Sequence, residues 1–221
     1  MIVMRPVLEM CVPERFGLWP VAEVRPWGFL PLDGRLGSTE VGAAVMVIAA
    51  GNDADPEDAG GPERPADPLG SFLHGLLTMD PLFASGGLQV TDTVTGATLV
   101  PGCCNGLDER ADWLDVLDGA GWACFGHDPS PVAERVGDTV RLTVDAEADD
   151  SPRIEIPVAE LRSLLAGAER DLIDFLDLAA GWAARHLPAH AADVTEALAR
   201  ALALPTGRGA VVDGDGRGGP A

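Results

Sequence analysis

"VAELRSLLAGAERDLIDFLDLAAGWAARHL" occupies residues 158–187, and its periodicity decides the fold class. Leu161, Leu165, Ala168, Leu172, Leu176, Ala179 and Ala183 recur at intervals of three or four residues. Leu164, Phe175 and Trp182 widen the stripe, while Glu169, Arg170, Asp174 and Asp177 fall largely on other faces. Residues so spaced share one side of an α-helix, so the stretch predicts a long amphipathic helix able to cover a sheet. Pro188 has no amide hydrogen and interrupts it. "AHAADVTEALARALAL" (189–204) predicts a second helix.

Upstream of this helix the pattern changes to alternation. "VAERVGDTVRLTVDA" (132–146) reads as a hairpin turning at Gly137-Asp138, and "GLQVTDTVTGATLVPG" (87–102) as another turning at Thr95-Gly96. "GWACFG" (121–126) and "RIEI" (153–156) are strand candidates. "VGAAVMVIAA" (41–50) is apolar throughout and Val/Ile-rich, which predicts a buried strand. Asp67 can cap and Pro68 can open a helix over 67–80. Gly119 closes a shorter helix over 107–119. Strands in hairpins followed by C-terminal helices predict an α+β fold, a mainly antiparallel sheet with those helices on one face.

In domain terms, residues 1–36 read as an arm of short extended segments and 37–204 as one α+β domain. The acidic, Gly/Pro-rich stretch at 51–66 reads as a flexible loop within it, and 205–221 as a disordered tail.

The chain has 221 residues, with 35 acidic against 15 basic side chains and a formal net charge of -20. Every basic residue is Arg. Nucleic acids and anionic lipid are held through cations that displace counterions, so this balance argues against both and in favour of a basic protein partner. The first twenty residues carry Glu9 and Glu14 within their apolar stretch and lack a cleavage site, and the longest apolar run is half a bilayer's requirement. No membrane span is therefore expected. Four cysteines fit a reducing compartment, and the cytoplasm is the expected location.

Chemistry-bearing motifs are sparse. Neither a nucleophile elbow, a phosphate loop nor a dinucleotide fingerprint is present, so no catalytic residue and no cofactor is expected. Two readings of a site remain. The acidic run through Asp108, Glu109, Asp112, Asp115 and Asp118 offers a contact face for a basic partner. Alternatively Cys103, Cys104, Cys124 and His127 could serve a thiol- or metal-dependent enzyme or sensor, since thiolates and imidazole are zinc's usual ligands. Against the second reading, neighbours in an extended chain point to opposite sides, which predicts that Cys103 and Cys104 face apart. A structural or regulatory domain without a site is the third reading.

"PGCCNGLDERADW" (101–113), "GHDPSP" (126–131), "GDTVRL" (137–142) and "IEIPVAELRSLL" (154–165) together resemble a family of small actinobacterial proteins; the likeness covers residues 67–187 and implies no activity. "CFGHD" (124–128), the Gly-Asp hairpin and the strand leading into "AELRSLL" and "LIDFL" also resemble the later part of the SUKH superfamily of bacterial immunity proteins. That likeness implies an acidic α+β binder that neutralises a toxin, often a nuclease. It carries over architecture and binding class, and no site residue.

Overall fold

The long stripe at 158–187 forms one helix and joins two cores. In the computed structural model, which describes residues 1–11, 13, 15–53 and 62–205, the strands form two four-stranded antiparallel sheets. The first sheet contains β1 (Ile2–Glu9), β2 (Phe29–Pro31), β3 (Gly86–Asp92) and β4 (Thr98–Leu99), in the order β2-β1-β3-β4. The second contains β5 (Trp122–Cys124), β6 (Val132–Val136), β7 (Thr139–Thr143) and β8 (Arg153–Pro157), in chain order. The helices among the described residues are α1 (Ser38–Gly51), α2 (Pro68–Thr78), α3 (Asp112–Asp118), α4 (Val158–His186) and α5 (Ala191–Ala201). A 3-10 turn, Leu107–Ala111, leads into α3. The protein is α+β, as the alternation and the C-terminal helices predict.

Local signals place most of these elements. The second hairpin turns at Gly137-Asp138, with Val136 opposite Thr139 and Gly137 at φ 65°. Asp67 caps α2 by accepting from the Gly70 amide at 2.8 Å. In α4, Leu161 and Ala168 pack in a core that the two sheets share, with Val140, Leu142, Ile154 and Ile156 of the second and Met4, Leu88 and Val90 of the first. Further along, Leu172, Phe175, Ala179, Trp182 and Ala183 pack in the other core, with α1 and α5. One amphipathic stripe therefore fastens two sheets together.

The run at 41–50 is a helix, not a strand. Every residue from Val41 to Ala49 is buried, so the run shows no amphipathic period and cannot be told from a buried strand by pattern. Its start is chemical: the Glu40 carboxylate accepts from the Gly37 amide at 2.7 Å. The N-terminal residues also hold a central place. β1 is eight residues long and lies between β2 and β3, registered from Ile2 opposite Asp92 to Leu8 opposite Gly86. Trp19 is buried, donates its indole N–H to the Gly42 carbonyl at 2.9 Å, and meets Trp182 edge-on at 5.4 Å. Residues 54–61, half of the acidic loop expected at 51–66, and all but Pro205 of the tail lie outside the described residues. Among the described residues, no helix is long and apolar enough to cross a membrane.

Candidate functional site

The segment Pro101–Gly106 connects β4 of the first sheet to the 3-10 turn, and it is pinned on both sides by backbone bonds. On one side it meets the chain leaving β5: Gly102 N–H donates to Phe125 O at 2.8 Å and Cys103 N–H to His127 O at 2.6 Å. On the other it meets the start of β3: Gly86 N–H donates to Asn105 O and Leu107 N–H to Ala84 O, both at 2.9 Å. The first approach is so close that a Cβ on Gly102 would sit 2.3 Å from the Pro129 carbonyl oxygen. Buried Asn105 holds the loop from within, donating from its side-chain amide to Gly86 O at 2.7 Å.

This geometry overturns the expectation that the two cysteines face apart. Cys104 has φ 65°, in the left-handed region, so the extended alternation stops there. Both thiols therefore lie on one side, with Sγ to Sγ 3.5 Å. The backbone bridge sets His127 beside them, and the three candidate ligand atoms all lie within 4.8 Å of one another. All three side chains are exposed. Cys124, on β5, is not in this group; its thiol faces Gly126 O at 3.3 Å.

The electrostatics here oppose a nucleophile. The Cys103 thiol is pushed above its ordinary value, first by its hydrogen bond with Cys104, then by burial and by the charges of Cys104 and Glu9. Reactive cysteines need the opposite shift, because the thiolate is the attacking form. The Asp128 carboxylate lies 3.5 Å from Nδ1 of His127.

The acidic run divides. Asp118 is bound to Arg162, through bonds that include one of 3.0 Å, and its carboxyl is held below the ordinary range by that guanidinium. Asp108, Glu109, Asp112 and Asp115 have no ion pair among the described residues. Burial pushes the Glu109 carboxyl up, with the charges of Asp108 and Asp112 adding to it. Asp112 is raised in the same way, by burial and then by Asp115 and Asp108. Beside them α3 and α4 enclose a cleft of about 370 Å³, with Leu114, Leu117 and Leu165 in its apolar lining and Asp108, Arg110, Arg162 and Glu169 in its charged lining. Leu114 is 52% exposed at that cleft. Sequence periodicity placed the carboxylates but not this cleft, which needs α4 to return across the second sheet.

Three arginines donate to the carbonyls at helix ends, Arg110 while also feeling the charges of Glu169 and Asp108. Arg110 donates to the carbonyls of Leu202 and Ala203 at the end of α5, the latter at 2.7 Å. Arg135 donates to the Leu117 carbonyl at the end of α3, and Arg200 to Met79 O, 3.4 Å away, at the end of α2. Carbonyls left unpaired at a helix C-terminus attract cations in this way.

Comparison with protein-family models, with curated proteins and with solved structures returned no match to the chain. The fold and the site define it as an α+β protein with an acidic run beside a cleft between α3 and α4, and a vicinal dithiol beside a histidine.

Proposed function

We propose that this is an acidic interaction protein that binds a basic protein partner through the 3-10 turn, α3 and the adjoining cleft. One observation carries the reading. Arg110, Arg135 and Arg200 serve backbone carbonyls, while Asp108, Glu109, Asp112 and Asp115 gather without an ion-paired cation among the described residues. Carboxylates so placed repel one another, and a cation from outside relieves that repulsion. The net charge of -20 speeds approach of a basic partner and disfavours nucleic acid. The apolar cleft with exposed Leu114 adds contact area that charge alone lacks. Resemblance to immunity proteins points to a cationic toxin as the partner, with the protein as its inhibitor. The cytoplasm is the proposed setting, in keeping with four cysteines that are all thiols.

The test is capture of partners from the source organism at low and moderate salt. The full chain is compared with a variant carrying Asp108→Asn, Glu109→Gln, Asp112→Asn and Asp115→Asn. A stoichiometric basic protein that salt releases and the variant fails to hold is the expected result, followed by an assay for neutralisation of that protein. Equal capture by both chains overturns the reading.

A further inference from the structure

We propose that Cys103, Cys104 and His127 form a three-ligand site for a divalent d10 cation, Zn2+, with its fourth coordination position open to solvent. The inference is independent of the acidic face and of any partner. Three observations carry it. The first is the donor set: two thiols and an imidazole whose ligand atoms lie within 4.8 Å of one another, on two different loops. Adjacent cysteines ordinarily face apart; here the left-handed backbone at Cys104 turns both sulfurs to one side.

The second is scale. Two thiolates bound to tetrahedral zinc at about 2.3 Å lie about 3.8 Å apart. The observed separation is 3.5 Å, so closure onto the ion needs only a small opening of the pair. A linear two-thiolate ion would need about 4.6 Å, the sum of two such bonds, which the loop does not offer. The third is rigidity. The Cys103–His127 backbone bridge, the Gly102–Phe125 bond and the close approach at Gly102 hold both loops before any ion arrives. A site set in advance loses less conformational freedom on binding than one that must assemble.

The charge balance follows from the ligands. Binding releases the two thiol protons to solvent, leaving two thiolates and a neutral imidazole around a dication, so the first shell is neutral. The Asp128 carboxylate lies 3.5 Å from Nδ1 of His127, an outer-shell contact of the kind that orients a zinc-binding histidine. With three protein ligands, water fills the remaining position, as in zinc sites that are not purely structural.

The experiment uses the full, reduced chain, stripped of metal and titrated with Zn2+ in competition with a chromophoric chelator, and separately with Co2+. One Zn2+ per chain is expected, together with a thiolate-to-cobalt charge-transfer band. Cys103→Ser, Cys104→Ser and His127→Ala each weaken Zn2+ binding by more than about a hundredfold, beyond the roughly 10–100-fold that loss of a supporting residue costs. Cys124→Ser and Cys11→Ser leave it unchanged. Circular dichroism verifies that each variant is folded, and His127→Gln replaces His127→Ala if the latter is not. Absence of stoichiometric binding by the unaltered chain overturns the proposal, as does equal binding by a Cys103→Ser/Cys104→Ser variant or a cobalt spectrum without the thiolate band.

Discussion

The side chain of Asn52 pairs with the backbone of Phe83 as a strand would. Its carbonyl accepts from the Phe83 N–H at 2.9 Å, and its amide donates to the Phe83 carbonyl at 2.7 Å. The same amide also donates to Ile48 O at 2.7 Å, which closes α1. Asn52 is buried, so water cannot replace these bonds. It fixes the entry to the first sheet against the central helix.

Replacing Asn52 with Ala should therefore be costly. The substitution strands backbone groups of Phe83 and Ile48, at about 1–3 kcal/mol for a buried unsatisfied group. A loss of about 2–3 kcal/mol is expected in urea unfolding, with the m-value unchanged. A loss under about 0.5 kcal/mol would show that the pairing is not sealed from solvent.

The same substitution at two helical glycines should change stability in opposite directions. A Cβ on Gly75 would lie 1.9 Å from the Asn52 carbonyl oxygen, so Gly75→Ala must push α2 away from the end of α1. Overpacking of this kind costs about 1–3 kcal/mol. At Gly181, in α4, nothing among the described residues beyond the helix's own backbone and chain neighbours lies within 4 Å of the added methyl. There Gly181→Ala stabilises the helix by about 0.5–1 kcal/mol. Parallel thermal melts of the two variants check the contrast; a shared sign would refute the close crossing.

Arg110 anchors the C-terminal helix end. Its guanidinium reaches the carbonyls of Leu107, Leu202 and Ala203, and burial lowers its proton affinity without removing its charge. Arg110→Met keeps the stem and removes the donors. A loss of about 1–2 kcal/mol is expected, with faster amide exchange concentrated in the last turn of α5. Uniform acceleration across the chain would mean that Arg110 supports the whole fold instead.

The acidic face should also be visible in the pH dependence of stability. The Glu109 carboxyl is raised in the folded state, so its favourable contribution is complete below the ordinary carboxylate range and is lost as pH rises through the raised value. At neutral pH it therefore opposes folding, and Glu109→Gln should raise Tm by about 1 °C. That gain should vanish near about pH 4. Asp118 has the opposite sign. Its carboxyl is lowered by Arg162, so its contribution is present above the ordinary range and is lost as pH falls through the lowered value. Asp118→Asn should lower Tm at pH 7, with the difference closing in acid. Melts of both variants from pH 3 to 7 decide the matter, and parallel profiles would contradict it.

Sequence alone determined the elements whose signals are local. The stripe from Leu161 to Ala183 has one geometric solution in water, a helix with that face covered. The Gly137-Asp138 turn and the Asp67-Pro68 cap carry their own stereochemistry. Tertiary structure decided the rest. Val41–Ala49 is buried on every side, which erases the periodicity that separates helix from strand. Alternation marks the faces of a strand and not its neighbours, so the division into two sheets, with β1 inside the first, depends on contacts distant in sequence. The acidic carboxylates were legible as a run, whereas which of them is ion-paired among the described residues, as Asp118 is with Arg162, depends on a contact distant in sequence. Likewise "PGCCNG" displayed its two cysteines, but their shared orientation arises from left-handed Cys104 beside the bridge between Cys103 and His127, 24 positions apart.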